Sequence, residues 1–291
     1  MKQYTTEIFC ICDDFFKAFS KEFDAHSLPS STPVKLNPST RMSLPEMMTL
    51  LIEFHLSGYH DFKHFYHHAQ ALYRKEFPQI LSYSRFIELI PSVTFLLYAL
   101  AVALRGVCTG ESYCDATALM VCKNKRISGH RVFKNIAKRG KTSMGWFYGF
   151  KLHLVVNNFG HILAFTLSPG NVDDRAAVPQ MVQGVFGKLF GDKGYIGKDL
   201  FKTLWEKGIK MITSIRSNMK PQIMALDESE ALGRRSLIES VFNVLKNSCR
   251  VEHSRHRSPA NFVANLLAGL CAYMCRFLIG TGPFQGLTIS A

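Results

Sequence analysis

Three acidic side chains stand where the surrounding sequence makes a carboxylate unusual. Asp115 is the one charge in the small, apolar run "SYCDATALMVC", Asp192 follows the apolar run "KLFG", and Glu239 lies within "RRSLIESVFNVLKNS". On a helical wheel of about 100° per residue, Arg235 and Lys246 fall within about 40° of Glu239. Leu237, Ile238, Val241, Val244 and Leu245 centre on the opposite side. That helix is expected to pack its apolar face on a core and to turn Glu239, Arg235 and Lys246 away from it. Taken alone, Arg235 and Glu239 also read as a surface ion pair worth only about 0.2–0.5 kcal/mol.

Carboxylates gathered away from water repel one another unless a cation compensates them, and hard oxygen donors suit Mg²⁺ or Mn²⁺. Two such ions about 3.5–4 Å apart can activate a nucleophile and stabilise a leaving oxygen in phosphoryl transfer. Asp115, Asp192 and Glu239 are therefore the candidate metal ligands and the candidate catalytic set.

The elements that must position these acids begin near residue 109. The Asp115 segment reads as a buried strand. "YGFKLHLVV" and "HILAFTLSPG" flank the turn-forming "NNFG" and read as a hairpin. "DDRAAVPQMVQGVF" follows as a helix capped by Asp173 and Asp174. "KLFGD" is a short strand, "KDLFKTLWEKG" a helix with a glycine stop, and "IKMITSI" a strand. This order implies a mixed sheet with flanking helices, and catalytic groups in such sheets gather at the carboxyl ends of strands, where Asp192 falls. Residues 216–234 show no clean period and read as a loop.

Before residue 109 the chain reads as helical. Ser43 and Glu46 form a capping box ahead of "MMTLLIEFHL". A helix through "DFKHFYHHAQALYRKEF" is expected to end near Phe77, ahead of Pro78, and "SYSRFIELI" to stop at Pro91. His60, His64, His67 and His68 lie close in helical spacing, but no carboxylate completes a familiar ligand set, so they read as a solvated helix face.

The formal net charge of +13 calls for a polyanionic partner, with DNA, RNA or an anionic membrane surface as the choices. Between Ala116 and Val172 there is no Asp or Glu, while Lys123, Lys125, Arg126, Arg131, Lys134, Lys138, Arg139, Lys141 and Lys151 accumulate. Such density suits a nucleic-acid backbone. "RVEHSRHRS", with Arg255 and Arg257, adds a second basic group. Phe133, Trp146, Phe147 and Tyr148 are interleaved with the first and can stack on bases or simply pack.

Several classes are disfavoured. The apolar run Val93–Leu104 is too short to span a bilayer, and the run from Phe262 to Ile279 carries Asn265 and Arg276, as a buried helix would. No basic leader precedes an apolar core at the start of the sequence, so a soluble, intracellular protein is expected. The eight cysteines lack zinc-finger spacing and read as reduced thiols in a reducing compartment. "RGKTS" has Asn135 where a phosphate-binding loop needs glycine, and no GxSxG elbow occurs.

These residues resemble the DDE transposases of bacterial insertion sequences, most closely the insertion-sequence 982 family. "CDATAL" resembles the first aspartate motif and "GDKGY" the second. Arg235, Glu239 and Lys246 match the spacing of the third, with Leu232 where related families have tyrosine. "FHLSGYHDFKHFY", "SYSRFIEL", "YGFKLHL", "SPGNVDDR" and "HSRHRS" extend the resemblance over nearly the whole chain except the last dozen residues. It implies an α/β, ribonuclease H-like catalytic domain over 109–280, preceded by a helical DNA-binding domain over 1–108 and followed by a tail, 281–291. It also implies two Mg²⁺ (or Mn²⁺) ions, with Asp115 bridging them and Asp192 and Glu239 completing the separate sites. DNA ends and target DNA are the implied partners, bound by a homodimer or higher oligomer in a bacterial cytoplasm, near the nucleoid. Arg235, Lys246, Lys151, Lys193, Arg255 and Arg257 are the candidate DNA contacts. A plain nuclease on the same scaffold and a non-catalytic DNA-binding remnant remain as alternatives.

Overall fold

The computed structural model describes residues 4–26, 42–143, 145–215, 219, 224–252 and 256–280. The chain divides into two compact units. One comprises the described residues up to Leu104, Leu245–Val251 and those from Ser258 onward; the other comprises Arg105–Val244 and the described part of 252–257.

The first unit is helical: α1 (Thr5–His26), α2 (Leu44–Leu56), α3 (Phe62–Leu72), α4 (Tyr83–Ala103) and α9 (Pro259–Leu278). The expected capping box opens α2, with the Glu46 N–H donating to Ser43 Oγ at 3.3 Å and the Ser43 N–H to Glu46 Oε2 at 2.6 Å. Helix α2 is buried almost all round, so it forms the centre of this unit. Helix α3 stops at Leu72, short of the expected Phe77. Tyr73 instead turns inward, fully buried, and its hydroxyl donates to Glu53 at 2.6 Å.

Helix α4 does not stop at Pro91 but runs through it for 21 residues. Proline forfeits one backbone hydrogen bond. Ile90, Val93, Leu97 and Leu100, buried along one face, hold the helix together across that gap. The apolar run Val93–Leu104, expected to be too short to span a bilayer, is part of the longer α4, which by length and composition alone could cross one. The run from Phe262 to Ile279 is the buried helix expected, α9, with two thirds of its apolar window inside the protein. Helix α9 packs on α2 and α4. Helix α9, expected within the catalytic domain, belongs to the helical unit.

The second unit carries a six-stranded sheet: β1 (Glu111–Cys122), β2 (Lys138–Thr142), β3 (Gly145–Asn157), β4 (Ile162–Pro169), β5 (Gly187–Gly191) and β6 (Ile209–Thr213). Strand β1 is central. It pairs antiparallel with β3 on one side and parallel with β5 on the other, and β6 continues parallel to β5. Strands β4 and β2 share the outer edge of β3, β2 along residues 145–149 and β4 along 150–156. Helices α5 (Asp174–Met181) and α6 (Lys198–Glu206) cover one face through a core that includes Cys114, Val155, Ala177, Val178, Leu189 and Leu204. Helices α7 (Leu226–Gly233) and α8 (Ser236–Asn243) complete the unit. The mixed sheet with flanking helices is the one expected.

Two elements were not expected. Residues 216–218 and 220–223 of the supposed loop lie outside the described residues, but 226–233 form α7, which packs against β5 and β6. Strand β2 is short and basic, with no apolar alternation to reveal it. Gly140 explains its seating: a Cβ there would strike the Gly170 carbonyl and the Phe147 ring, so only glycine lets β2 lie against the end of β4.

Candidate active site

Asp115 lies in β1 just beyond the stretch that pairs with β5. The last paired residues are Tyr113 and Phe190. Two residues further along each chain stand Asp115 and Asp192, so the parallel register brings both acids to the same level of the sheet, at the carboxyl end of β5. Gly191 makes this approach possible, because a Cβ there would meet Met211, Tyr195 and Cys114 Sγ. Asp192 is held by its own turn: Oδ1 accepts the Gly194 N–H at 2.7 Å and caps the single helical turn Lys193–Tyr195. The glycine of "GDKGY" is part of that geometry, since a Cβ on Gly194 would press on Asp192 Oδ1.

Glu239 reaches the site through an arginine. Helix α8 packs on β1, burying Ile238, Val241 and Phe242. Arg235, at its N-terminal boundary, donates Nη2–H to Glu239 Oε1 at 2.7 Å and Nη1–H to Asp115 Oδ2 at 3.4 Å. One guanidinium therefore ties the acid of the strand to the acid of the helix. The adjacent Arg234 forms a separate cluster, donating to both oxygens of Glu111 at 3.2 Å, while the Tyr113 hydroxyl donates to the same carboxylate.

The electrostatics single out Asp115. Burial pushes its carboxyl up to about 6. The Ala116 N–H, donated to Oδ1 at 2.8 Å, and the Arg235 charge work against that rise, whereas the charges of Asp192 and Asp174 add to it. Burial, which disfavours the charged form, is the largest cause of the rise. The Tyr195 hydroxyl beneath the site is raised by burial and then by the neighbouring thiol and acids.

Asp174, expected from the sequence only to cap α5, also belongs to this neighbourhood. Asp173 does cap α5, accepting the Arg175 N–H at 2.9 Å. Asp174 instead receives Lys151 Nζ at 2.8 Å, and the same ammonium donates to the Val172 carbonyl at 2.9 Å. Lys151 is thus largely committed inside the protein, with its side chain only 13% exposed. His153, buried beside them, bonds Ser168 Oγ through Nε2 at 2.7 Å, and burial lowers its pKa. Neither Asp174, in the first turn of α5, nor His153, inside β3, has a sequence signal that marks it out.

The remaining candidates are more dispersed. Lys193 is exposed on the turn after Asp192, and Arg257 is exposed; Arg255 lies outside the described residues. Lys246 sits on a π-helical turn, Val244–Ser248, that continues α8. The wheel that aligned it with Glu239 therefore holds only to Asn243, because a π turn changes the rotation per residue. In the histidine group, His64 pairs with Asp61 at 2.5 Å and His67 with Gln70 at 3.2 Å. Among the described residues, no three His, Cys, Asp or Glu side chains already surround a common point as a metal site would. The donor chemistry at Asp115, Asp192 and Glu239 nevertheless fits a hard divalent cation, because all the donors are carboxylate oxygens.

A family model described as "Transposase DDE domain" matches residues 105–259, which include all three acids. No curated protein matches the sequence. Among solved structures, the chain is similar to the piggyBac transposase in a synaptic complex with hairpin DNA, with a TM-score of 0.51 and 11% identity, over 92% of this chain and 72% of that one. That likeness supports the fold, a ribonuclease H-like sheet with helices at its N-terminal side. On the strength of the family match, the chain belongs to the DDE transposase domain family.

Proposed function

We propose that the protein cuts DNA at the ends of a mobile element and joins the freed 3′-hydroxyl to target DNA, as a bacterial insertion-sequence transposase of the 982 type. The observation that carries this reading is the register that sets Asp115 level with Asp192 on neighbouring parallel strands, with Glu239 tied to Asp115 through Arg235. The structural neighbour was itself solved with DNA, which agrees with DNA as the partner.

Asp115, Asp192 and Glu239 would hold two Mg²⁺ or Mn²⁺ ions. Bound there, the ions would supply positive charge to the scissile phosphate and lower the cost of deprotonating the attacking oxygen. The chain's own contribution is placement. The Gly194 N–H fixes the Asp192 carboxylate and the Ala116 N–H fixes that of Asp115. Arg235 shields the acids from one another and, once displaced from them, is near enough to pair with a phosphate. Lys193, Lys246, Arg255 and Arg257 would neutralise the DNA backbone, and Lys151 would hold Asp174 in position. The active assembly would be a homodimer or higher oligomer working in the cytoplasm at the nucleoid.

The test uses DNA from the borders of the gene. With Mg²⁺, the wild type is expected to nick it and to form a joined product with a second duplex. Asp192→Asn is expected to lose cleavage by about 10³-fold or more, as when a group acting in the transition state is removed, while DNA binding stays within a few-fold. Cleavage by the variant at the wild-type rate would refute the assignment; cleavage without joining would leave a nuclease.

A further inference from the structure

Beside the acids lies a cleft of about 500 Å³ that the reaction as described does not use. Its lining includes Arg139, Lys141 and Trp146 of β2 and β3, together with Lys151, Asp174 and Gly194. Phe133, Phe147 and Tyr148 are buried, at 1%, 3% and 7%, so three of the four aromatics in the basic tract simply pack. Trp146 does not: it is 52% exposed. In the β2–β3 ladder Lys141 stands directly opposite Trp146, and Arg139 opposite Tyr148 one step along the same face. The Arg139 guanidinium lies 4.9 Å and Lys141 Nζ 5.8 Å from the centre of the indole.

The acids of the cleft are already neutralised, Asp173 by Arg175 at 2.5 Å and Asp174 by Lys151 at 2.8 Å. Among the described residues Arg139 and Lys141 have no carboxylate partner and interact only with the ring. An exposed indole flanked by two cations matches a nucleotide's two surfaces, an aromatic base and an anionic phosphate. Bases inside a duplex are already stacked on their neighbours, so only an unpaired nucleotide can offer its face to Trp146. The volume also suits one nucleotide.

We propose that this cleft binds an unpaired nucleotide of DNA, with the base stacked at Trp146 and its phosphate held by Arg139 and Lys141, next to the carboxylates that act on the strand. The proposal rests on the reading of the protein as DNA-acting and adds the form of DNA that its site takes. Gly194, on the rim, belongs to the turn that holds Asp192, which places the nucleotide beside the reacting phosphate.

The chain has two tryptophans, and the other, Trp205, is 70% exposed on α6. Trp205→Phe therefore leaves Trp146 as the sole indole reporter. In EDTA, titration of this variant with a mixed-sequence single strand of about 12 nucleotides is expected to quench the emission, and a blunt duplex of the same sequence to quench it far less. Trp146→Ala is expected to weaken single-strand binding by roughly tenfold, with duplex binding within about twofold, and Trp146→Phe to restore most of the loss. Equal quenching by the two forms, or unchanged single-strand affinity in Trp146→Ala, would overturn the proposal. Neither cations nor cleavage enter this measurement. An inactive protein that still binds the single strand in this way refutes only the catalytic reading; an active one that fails the titration refutes only the nucleotide site.

Discussion

Arg235 is the residue on which the candidate site turns. Its guanidinium donates to carboxylates of both the strand and the helix, the position of a counter-charge between like charges. Surface pairs of this kind contribute little to stability, but here the arginine side chain is only 24% exposed and Asp115 23%. Its charge offsets part of the cost that burial and the neighbouring acids impose on the Asp115 carboxylate. A divalent cation bound to the same oxygens must compete with it. Arg235→Gln is accordingly expected to bind Mn²⁺ several-fold more tightly than wild type in DNA-free calorimetry, because an attached competitor has been removed. An affinity equal to or weaker than wild type would show that Arg235 does not compete for the acids. Asp115 stands out in the sequence as the one charge of its strand and Asp192 as the acid that follows an apolar run, whereas Glu239 lies on the polar face that its helix period predicts. Asp174 and His153 do not stand out, since their roles come from strand pairing and from the reach of Lys151 rather than from any local spacing.

At the scale of elements, local chemistry was readable where it alone decides the outcome. The capping box of α2, the hairpin of β3 and β4 and the apolar face of α8 all followed from period and capping. Tertiary packing decided the rest: it carried α4 through Pro91, ended α3 at a buried tyrosine and made a strand of "KRGKT". Strand β2 depends on Gly140, and Gly140→Ala is expected to destabilise the protein by about 1–3 kcal/mol, since the added methyl meets a backbone carbonyl and a packed ring. Equilibrium denaturation measures this directly, and a neutral result would mean that the hairpin is not seated on the Gly170 turn. In α2, Glu53 is 3% exposed, and burial raises its pKa although Tyr73 and Thr5 both donate to it. A carboxyl raised in the folded state keeps its proton to higher pH than in the unfolded chain, so its effect on stability worsens as pH rises above the ordinary glutamate range. Glu53→Gln retains the Oε1 acceptor. It is expected to melt higher than wild type at neutral pH, with the difference closing on acidification toward that range; a difference independent of pH would contradict the assignment.

Over the whole molecule, the net charge of +13 is not spread evenly. Lys123, Lys125, Arg126, Arg131, Lys134, Lys138, Arg139 and Lys141 are all exposed, on or ahead of the β2–β3 hairpin and in the unit that also holds the three acids. The fold thus joins a solvated cationic strip, suited to a phosphate backbone, to a small acidic centre suited to cations. Composition alone announced the first. The second required sheet register, because Asp115 and Asp192 lie 77 positions apart and meet only through the parallel pairing of β1 with β5. The most direct test is anomalous diffraction from crystals soaked in Mn²⁺. Manganese is expected to be coordinated by both Asp115 and Asp192, with Arg235 turned away from Asp115. Manganese absent from these two carboxylates at saturating concentration, with Arg235 still paired to Asp115, would contradict it.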